Sequence, residues 1–348
     1  MPSPILQNLD ARPKASDIYL WCDYVELRCL TNADHKFSRG NLLELIDETV
    51  EIAPESEADD DADEDDVEGE VAGVNLANDG PDEDPPAGAT AADKYETKVA
   101  DIFANLHFRV SLFGDSYPFG LTDDTQELSL RDSDPAFRQL YLQLLLSSSL
   151  RLVPKRRRKE LTEPFEAFST RIFQCLMPNG WEVHRFGAKG AVRYTGNLYA
   201  RLVKLAADLR GTLILKDTHV GKHNVGDQGL DIVAWHPLGD DARVGIPVAF
   251  AQCGCTAEEW SLKTLEASPA ALHPHLHIHH PWATYYFMPQ DLVDAVGDTK
   301  DWQQRKKLTS SVVIDRMRLI KLAEQYGLQA HCAATAAQVS EARALAAA

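Results

Sequence analysis

The stretch from Gly226 to Lys263, GDQGLDIVAWHPLGDDARVGIPVAFAQCGCTAEEWSLK, constrains this chain more than any other. It opens on a glycine-punctuated turn, Gly226-Asp227-Gln228-Gly229, that feeds Asp231 into an apolar run, Leu230 to Trp235. A short apolar run bounded by turn signals reads as a buried strand. The polar turn HPLGDD follows, and a second apolar strand, Ile246 to Ala251, ends at Gln252-Cys253. Alternation puts Asp231, Val233 and Trp235 on one face. Thr256-Ala-Glu-Glu259 then carries a capping-box signature for a new helix, in which Lys263 follows Trp260 by three residues.

With 348 residues the chain has room for two domains or one elaborated one. Its apolar runs fall short of a membrane span, and its start, MPSPILQNLDARPK, lacks the layout of a signal peptide. Six scattered cysteines without a secretion signal read as reduced thiols, which points to the cytoplasm and away from a membrane. The net charge of −18 belongs to one segment. Residues 51 to 90 hold 16 acidic residues and no Lys or Arg, leaving 37 acids against 35 bases elsewhere. A nearly neutral remainder does not exclude a nucleic-acid partner.

Residues 17 to 30 form an apolar run with acidic punctuation, and Ser38 to Val50 has helical spacing. The acidic stretch 51–92 has too little apolar surface to offset ordering entropy, so it is predicted to be disordered. It reads either as a solvated insertion or as an acidic mimic covering a basic cleft. YETKVADIFANL predicts a helix, HFRVSLFG and TQELSLRD strands, and residues 135 to 153 an apolar helix. Residues 1–153 thus read as a small α+β N-terminal domain. The basic run Lys155-Arg156-Arg157-Arg158-Lys159 lies in a linker, 154–160, and serves either solvation or phosphate contact.

A second domain is expected over 161–328, an α/β unit with a mixed central sheet flanked by helices. Thr162 and Pro164 mark its first helix, whose apolar face is Phe165, Phe168, Ile172, Phe173 and Leu176. WEVHRFGA predicts a strand, and NLYARLVKLAADLRG a helix stopped by Gly211. ATYYFMP and SSVVID predict further strands, KDWQQRKK a basic turn or helix, and Asp315 to Gly327 a capped helix. Arg305, Lys306, Lys307, Arg316 and Arg318 read as a phosphate-facing surface or as solvated side chains. From Gln329 to the end the Ala-rich tail, 329–348, predicts a fraying helix.

Cleaving a phosphodiester with a metal takes anionic oxygens for the cation, an activated water and a positive group near the developing charge. Asp231 answers the first need. Gln252 offers an amide oxygen that can ligate or orient, but cannot act as a base. Glu166, among Phe165, Ala167 and Phe168, is a carboxylate in an apolar setting of the kind sites use. Lys263 has a stem long enough to reach back over the strand ends.

These residues resemble the catalytic core of Mrr-like restriction endonucleases in the PD-(D/E)xK nuclease superfamily, with its G-D-x-G-x-D strand, its Q-x-K strand and a Glu in the first core helix. Gly226, Asp227, Gly229 and Asp231 match the first part, Gln252 the glutamine and Glu166 the helix acid. The family's lysine position is Gly254 here, and Lys263 is the substitute from a neighbouring element. The likeness spans roughly residues 160–290, and it extends to restriction-endonuclease-like proteins of bacterial anti-phage loci. It implies a restriction-endonuclease-like core that hydrolyses DNA, with Asp231, Gln252 and Glu166 holding Mg²⁺ (Mn²⁺ as the alternative) and Lys263 stabilising charge. It also implies other proteins of a defence operon as partners, and it is compatible with an oligomer.

Two rivals come from other classes. A nuclease fold with a degenerate site would serve as a DNA-binding or partner-docking scaffold. A zinc-stabilised interaction domain would draw on Cys253, Cys255 and the histidine-rich run His273 to His280, but the spacing fits no common finger, so zinc is not expected. Those histidines otherwise line the surface or, at His277 or His279, contact phosphate.

Overall fold

The computed structural model describes residues 4–13, 17–47, 91–132, 135–186, 191–216, 229–257, 260–296, 299–302, 308, 311–333 and 336–345. The expectations placed on residues 51–90, Gly226-Asp227-Gln228, Glu258, Glu259, Arg305, Lys306 and Lys307 lie outside them, while Ala91 and Ala92, expected to end the disordered stretch 51–92, are helical.

Helix α1, Ile18–Thr31, is buried on nearly every side, and its acidic punctuation turns inward at Asp23 and Glu26. Strand β1, Lys36–Ser38, leads into α2, Arg39–Asp47, at the expected place. Helix α3, Ala91–Phe113, runs on through HFRVSLF, which was expected to be a strand. The alternation there is misleading because Arg109 is a core residue. Val99, Ile102, Phe103, Leu106, Arg109 and Phe113 form one buried helical stripe. Strands β2, Phe119–Leu121, and β3, Glu127–Leu130, complete an antiparallel sheet in the order β1-β3-β2. Helix α4, Ala136–Ser148, follows.

Helix α5, Lys159–Leu176, begins before the expected Thr162–Pro164 start, leaving Pro164 inside it. Then come β4, Glu182–Arg185, α6, Leu198–Asp208, β5, Thr212–Leu213, and the paired strands β6, Ile232–Trp235, and β7, Val248–Cys253. Short helices α7, Trp260–Lys263, and α8, Pro269–Leu272, lead through β8, Leu276–His277, to β9, Ala283–Phe287. A hairpin of β10, Val293–Val296, and β11, Thr299–Trp302, precedes β12, Val312–Ile314, and α9, Arg316–Gln325. KDWQQRKK therefore contributes Lys300 to Trp302 to a strand rather than to a turn or helix. Helix α10, Ala336–Ala344, closes the chain. It is docked: Val339 and Ala342 are buried, and Glu341 accepts from the Ile5 amide at 2.8 Å.

A mixed five-stranded sheet, ordered β12-β9-β7-β6-β4, is the centre of the α/β fold. Strands β4, β6 and β7 are antiparallel neighbours, while β7, β9 and β12 run parallel. One face, with Ile232, Ala234, Ala249 and Ala251, joins a core that also holds Leu27, Phe103, Leu145, Phe168 and Leu319. The expected boundary between 1–153 and 161–328 is thus crossed by continuous apolar packing. The opposite face, with Val233 and Phe250, packs on Leu198, Leu202 and Leu205 of α6. Helix α6 closes through Arg210, whose φ is +55°, while the Gly211 amide donates to the Ala206 carbonyl at 2.8 Å. No helix among the described residues is long and apolar enough to cross a membrane.

A buried ionic network spans the same boundary. Arg316, fully buried at the start of α9, donates to Asp23 Oδ1 and Oδ2 at 2.9 and 2.6 Å. Arg109 donates to Asp23 and Glu26, each at 2.8 Å, and Tyr117 and Tyr141 also donate to Glu26. Burial alone would raise the Asp23 carboxyl, but the Arg316 and Arg109 guanidiniums outweigh it and hold it below its ordinary value. Arg316 is therefore no part of a phosphate-facing surface. Arg318 is also engaged, with Val313 O at 2.6 Å and the Trp302 ring at 4.4 Å.

Removing one partner of a buried pair leaves an uncompensated charge, so Arg316→Ala is expected to lose about 3–5 kcal/mol in urea unfolding. A pH dependence follows from Asp291, whose carboxyl burial lifts to about 7 against the pull of Arg109. An acid with a raised folded pKa contributes fully below its unfolded value and loses that contribution as pH rises through the folded one. Stability should accordingly fall from about pH 4 to about pH 7 on account of Asp291. Asp291→Asn, which cannot ionise, should flatten that part of a Tm-against-pH profile.

Candidate functional site

The β6–β7 hairpin positions the central pair. Ile232 lies opposite Ala251 in the antiparallel register, which carries Asp231 opposite Gln252 one step further out. Both belong to the face of Val233 and Phe250. Asp231 is fixed on three sides: its amide donates to Ala251 O, its carbonyl accepts from Phe186, and Oδ2 accepts from the Cys253 amide at 2.6 Å. Gln252 is 6% exposed, and its Nε2 donates to Glu266 Oε2 in the turn after α7. Its Oε1 has no partner among the described residues.

Glu266 was not singled out from the sequence, because it sits in a polar turn with no motif around it. A signal did exist in Gly229. This residue has φ +67°, and a Cβ there would run into the Glu266 side chain. A glycine that tolerates both the left-handed backbone and the close approach lets the carboxylate lie against the entrance to β6.

The lysine position of the resembled motif has a physical explanation. Gly254 faces the Tyr286 hydroxyl, and any side chain at 254 would collide with it. Tyr286 is the parallel-register neighbour of Gln252, fully buried, and its hydroxyl lacks a partner among the described residues. Burial, and then the negative groups around it including Glu266 and Asp231, push its phenol up, so it remains protonated.

Glu166 lies on the sheet face opposite Asp231 and Gln252, where it accepts from Arg185 Nε at 2.7 Å. Arg185 shares the register of Ile232 and so points to the α5 side. The cysteines show what stands nearby. Burial raises both thiols, the charges of Asp231 and Glu166 raise them further, and Lys263 pulls Cys255 back.

The basic run is partly committed to the fold. Arg157 forms ion pairs with Glu160 at 2.8 Å and Glu341 at 2.6 Å, and Arg158 reaches Val153 O at 3.3 Å. Lys155 and Arg156 are exposed. Among the histidines, His273 packs on Trp282 and His277 on His279, at ring distances of 5.2 Å each, on the α6 side of the sheet. No three His, Cys, Asp or Glu side chains among the described residues come together as a metal-holding group.

No family model, curated protein or solved structure matches this chain.

The packing at Gly254 is testable. Gly254→Ala overfills a closed space and is expected to lose about 1–3 kcal/mol in urea unfolding. Combined with Tyr286→Phe, which removes the nearest atom, the loss should be smaller than the sum of the single changes.

Proposed function

We propose that this chain is a metal-dependent endonuclease with a restriction-endonuclease-like core, hydrolysing DNA phosphodiester bonds as the nuclease component of a cytoplasmic bacterial anti-phage defence system. The observation that carries the reading is the Gln252 amide oxygen, buried without a partner among the described residues and in register with Asp231. Buried carbonyls are ordinarily satisfied, and an unsatisfied one at the edge of a carboxylate site fits a cation ligand. The donor set also fits Mg²⁺ or Mn²⁺, because its oxygens are hard.

A divalent cation held by Asp231 and Gln252 would polarise the scissile phosphate and acidify the attacking water. This chain's own residues do the rest. The Cys253 amide fixes the Asp231 carboxylate, Gln252 contributes a neutral oxygen, and Lys263 brings positive charge toward the pentavalent phosphorus centre. Glu166 holds Arg185 at the edge strand, so its role is positioning. Lys155 and Arg156 are cations able to meet the DNA backbone. The N-terminal helices serve regulation or docking of other defence proteins.

A second reading, a catalytically degenerate DNA-binding or docking scaffold, is favoured by the Tyr286 hydroxyl filling the place of the motif lysine. One experiment separates them. The full chain is incubated with supercoiled plasmid in Mg²⁺, in Mn²⁺ and in EDTA, with cleavage and gel retardation both recorded. Cleavage is expected with either metal and not in EDTA, with Asp231→Ala and Lys263→Ala slower by about 100-fold or more. Intact but retarded plasmid under all conditions would establish the scaffold instead.

A further inference from the structure

We infer that Glu266, rather than Glu166, is the second carboxylate of the cation site, sharing it with Asp231 and the Gln252 amide oxygen. The inference rests on the nuclease reading for its substrate, but not for the cation itself.

A carboxylate can only accept, so the Gln252 amide must turn its NH₂ toward Glu266 and its oxygen away. That oxygen is buried and unpartnered among the described residues. A buried acceptor left unsatisfied keeps its full desolvation penalty, so the arrangement calls for a positive or donating partner. The Tyr286 hydroxyl, on the residue paired with Gln252 in the neighbouring strand, is a second buried oxygen without a partner among the described residues. The β6–β7 register sets Asp231 opposite Gln252, and the contact of the Gln252 amide with Glu266 sets the second carboxylate beside it, so both carboxylates come to this one amide. The bare α-carbon of Gly229 is what allows Glu266 to approach.

Glu166 is a poor alternative. It faces the α5 side of the sheet, and the Arg185 guanidinium already neutralises it at 2.7 Å. Two carboxylates and a neutral amide give an all-oxygen set of charge −2, which suits a hard divalent cation better than zinc.

The test is Mn²⁺ titration of the full chain by calorimetry, without DNA. Glu266→Gln keeps an acceptor for the Gln252 amide while removing the charge. It should weaken Mn²⁺ binding by about 10-fold or more, with metal-free near-UV circular dichroism unchanged. Glu166→Gln should bind Mn²⁺ as the parent does. The inference is overturned if the parent chain binds no Mn²⁺ at millimolar concentration, or if Glu166→Gln loses binding while Glu266→Gln keeps it. The two readings fail separately. Glu266-dependent Mn²⁺ binding without DNA cleavage would sink the nuclease, whereas metal-dependent cleavage undiminished in Glu266→Gln would sink this assignment.

Discussion

The grip of Arg316 on Asp23 joins the two ends of this chain. Arg316 is the first residue of α9, which follows the edge strand β12 of the five-stranded sheet, and Asp23 lies in the first helix. Their guanidinium–carboxylate contact is buried from water, together with Arg109, Glu26 and Tyr141. Charges so placed are tolerable only as a complete set, since each one's desolvation is offset by the others. The N-terminal helices and the sheet are therefore bound to one arrangement, and the apolar core that continues across them follows the same geometry.

That core fixes where the candidate site can be. Strands β6 and β7 are buried on both faces, so a one-residue slip would exchange Ile232 and Phe250 between two separately packed cores. The locked register sets Asp231 against Gln252 at the rim, where the sheet gives way to turns. The β7–β9 pairing then delivers Tyr286 beside Gln252, and the return of the chain after α7 delivers Glu266. Two of these four side chains come from strands held by the core, Asp231 immediately precedes β6, and Glu266 is seated against a glycine.

Much of this was legible along the chain. The two central strands follow from their apolar runs and flanking turns, and α9 follows from the Asp315 cap, whose side chain accepts from the Arg318 amide, and from the stop at Gly327. Two of the departures share a cause, which is that a charged side chain can be buried. Arg109 inside α3 mimicked strand alternation, and Arg316 looked like a phosphate contact. In both cases a carboxylate distant in sequence makes burial possible. The Ala-rich tail looked weak for a similar reason, because the ion pair of Glu341 with Arg157 that ties it down joins residues 184 apart in sequence.

The sequence by itself determined β4, α6, β9, β12 and α9, the register-bearing apolar runs of β6 and β7, and the presence of Asp231 and Gln252 at their rim. These are local properties, set by hydrophobic period, turn chemistry and caps. Only the tertiary structure decided which charges are buried, that Tyr286 occupies the space over Gly254, that Arg185 claims Glu166, and that Glu266 reaches Gln252. Each of those depends on which distant side chain arrives at a given point in space, and no periodicity along a chain encodes that.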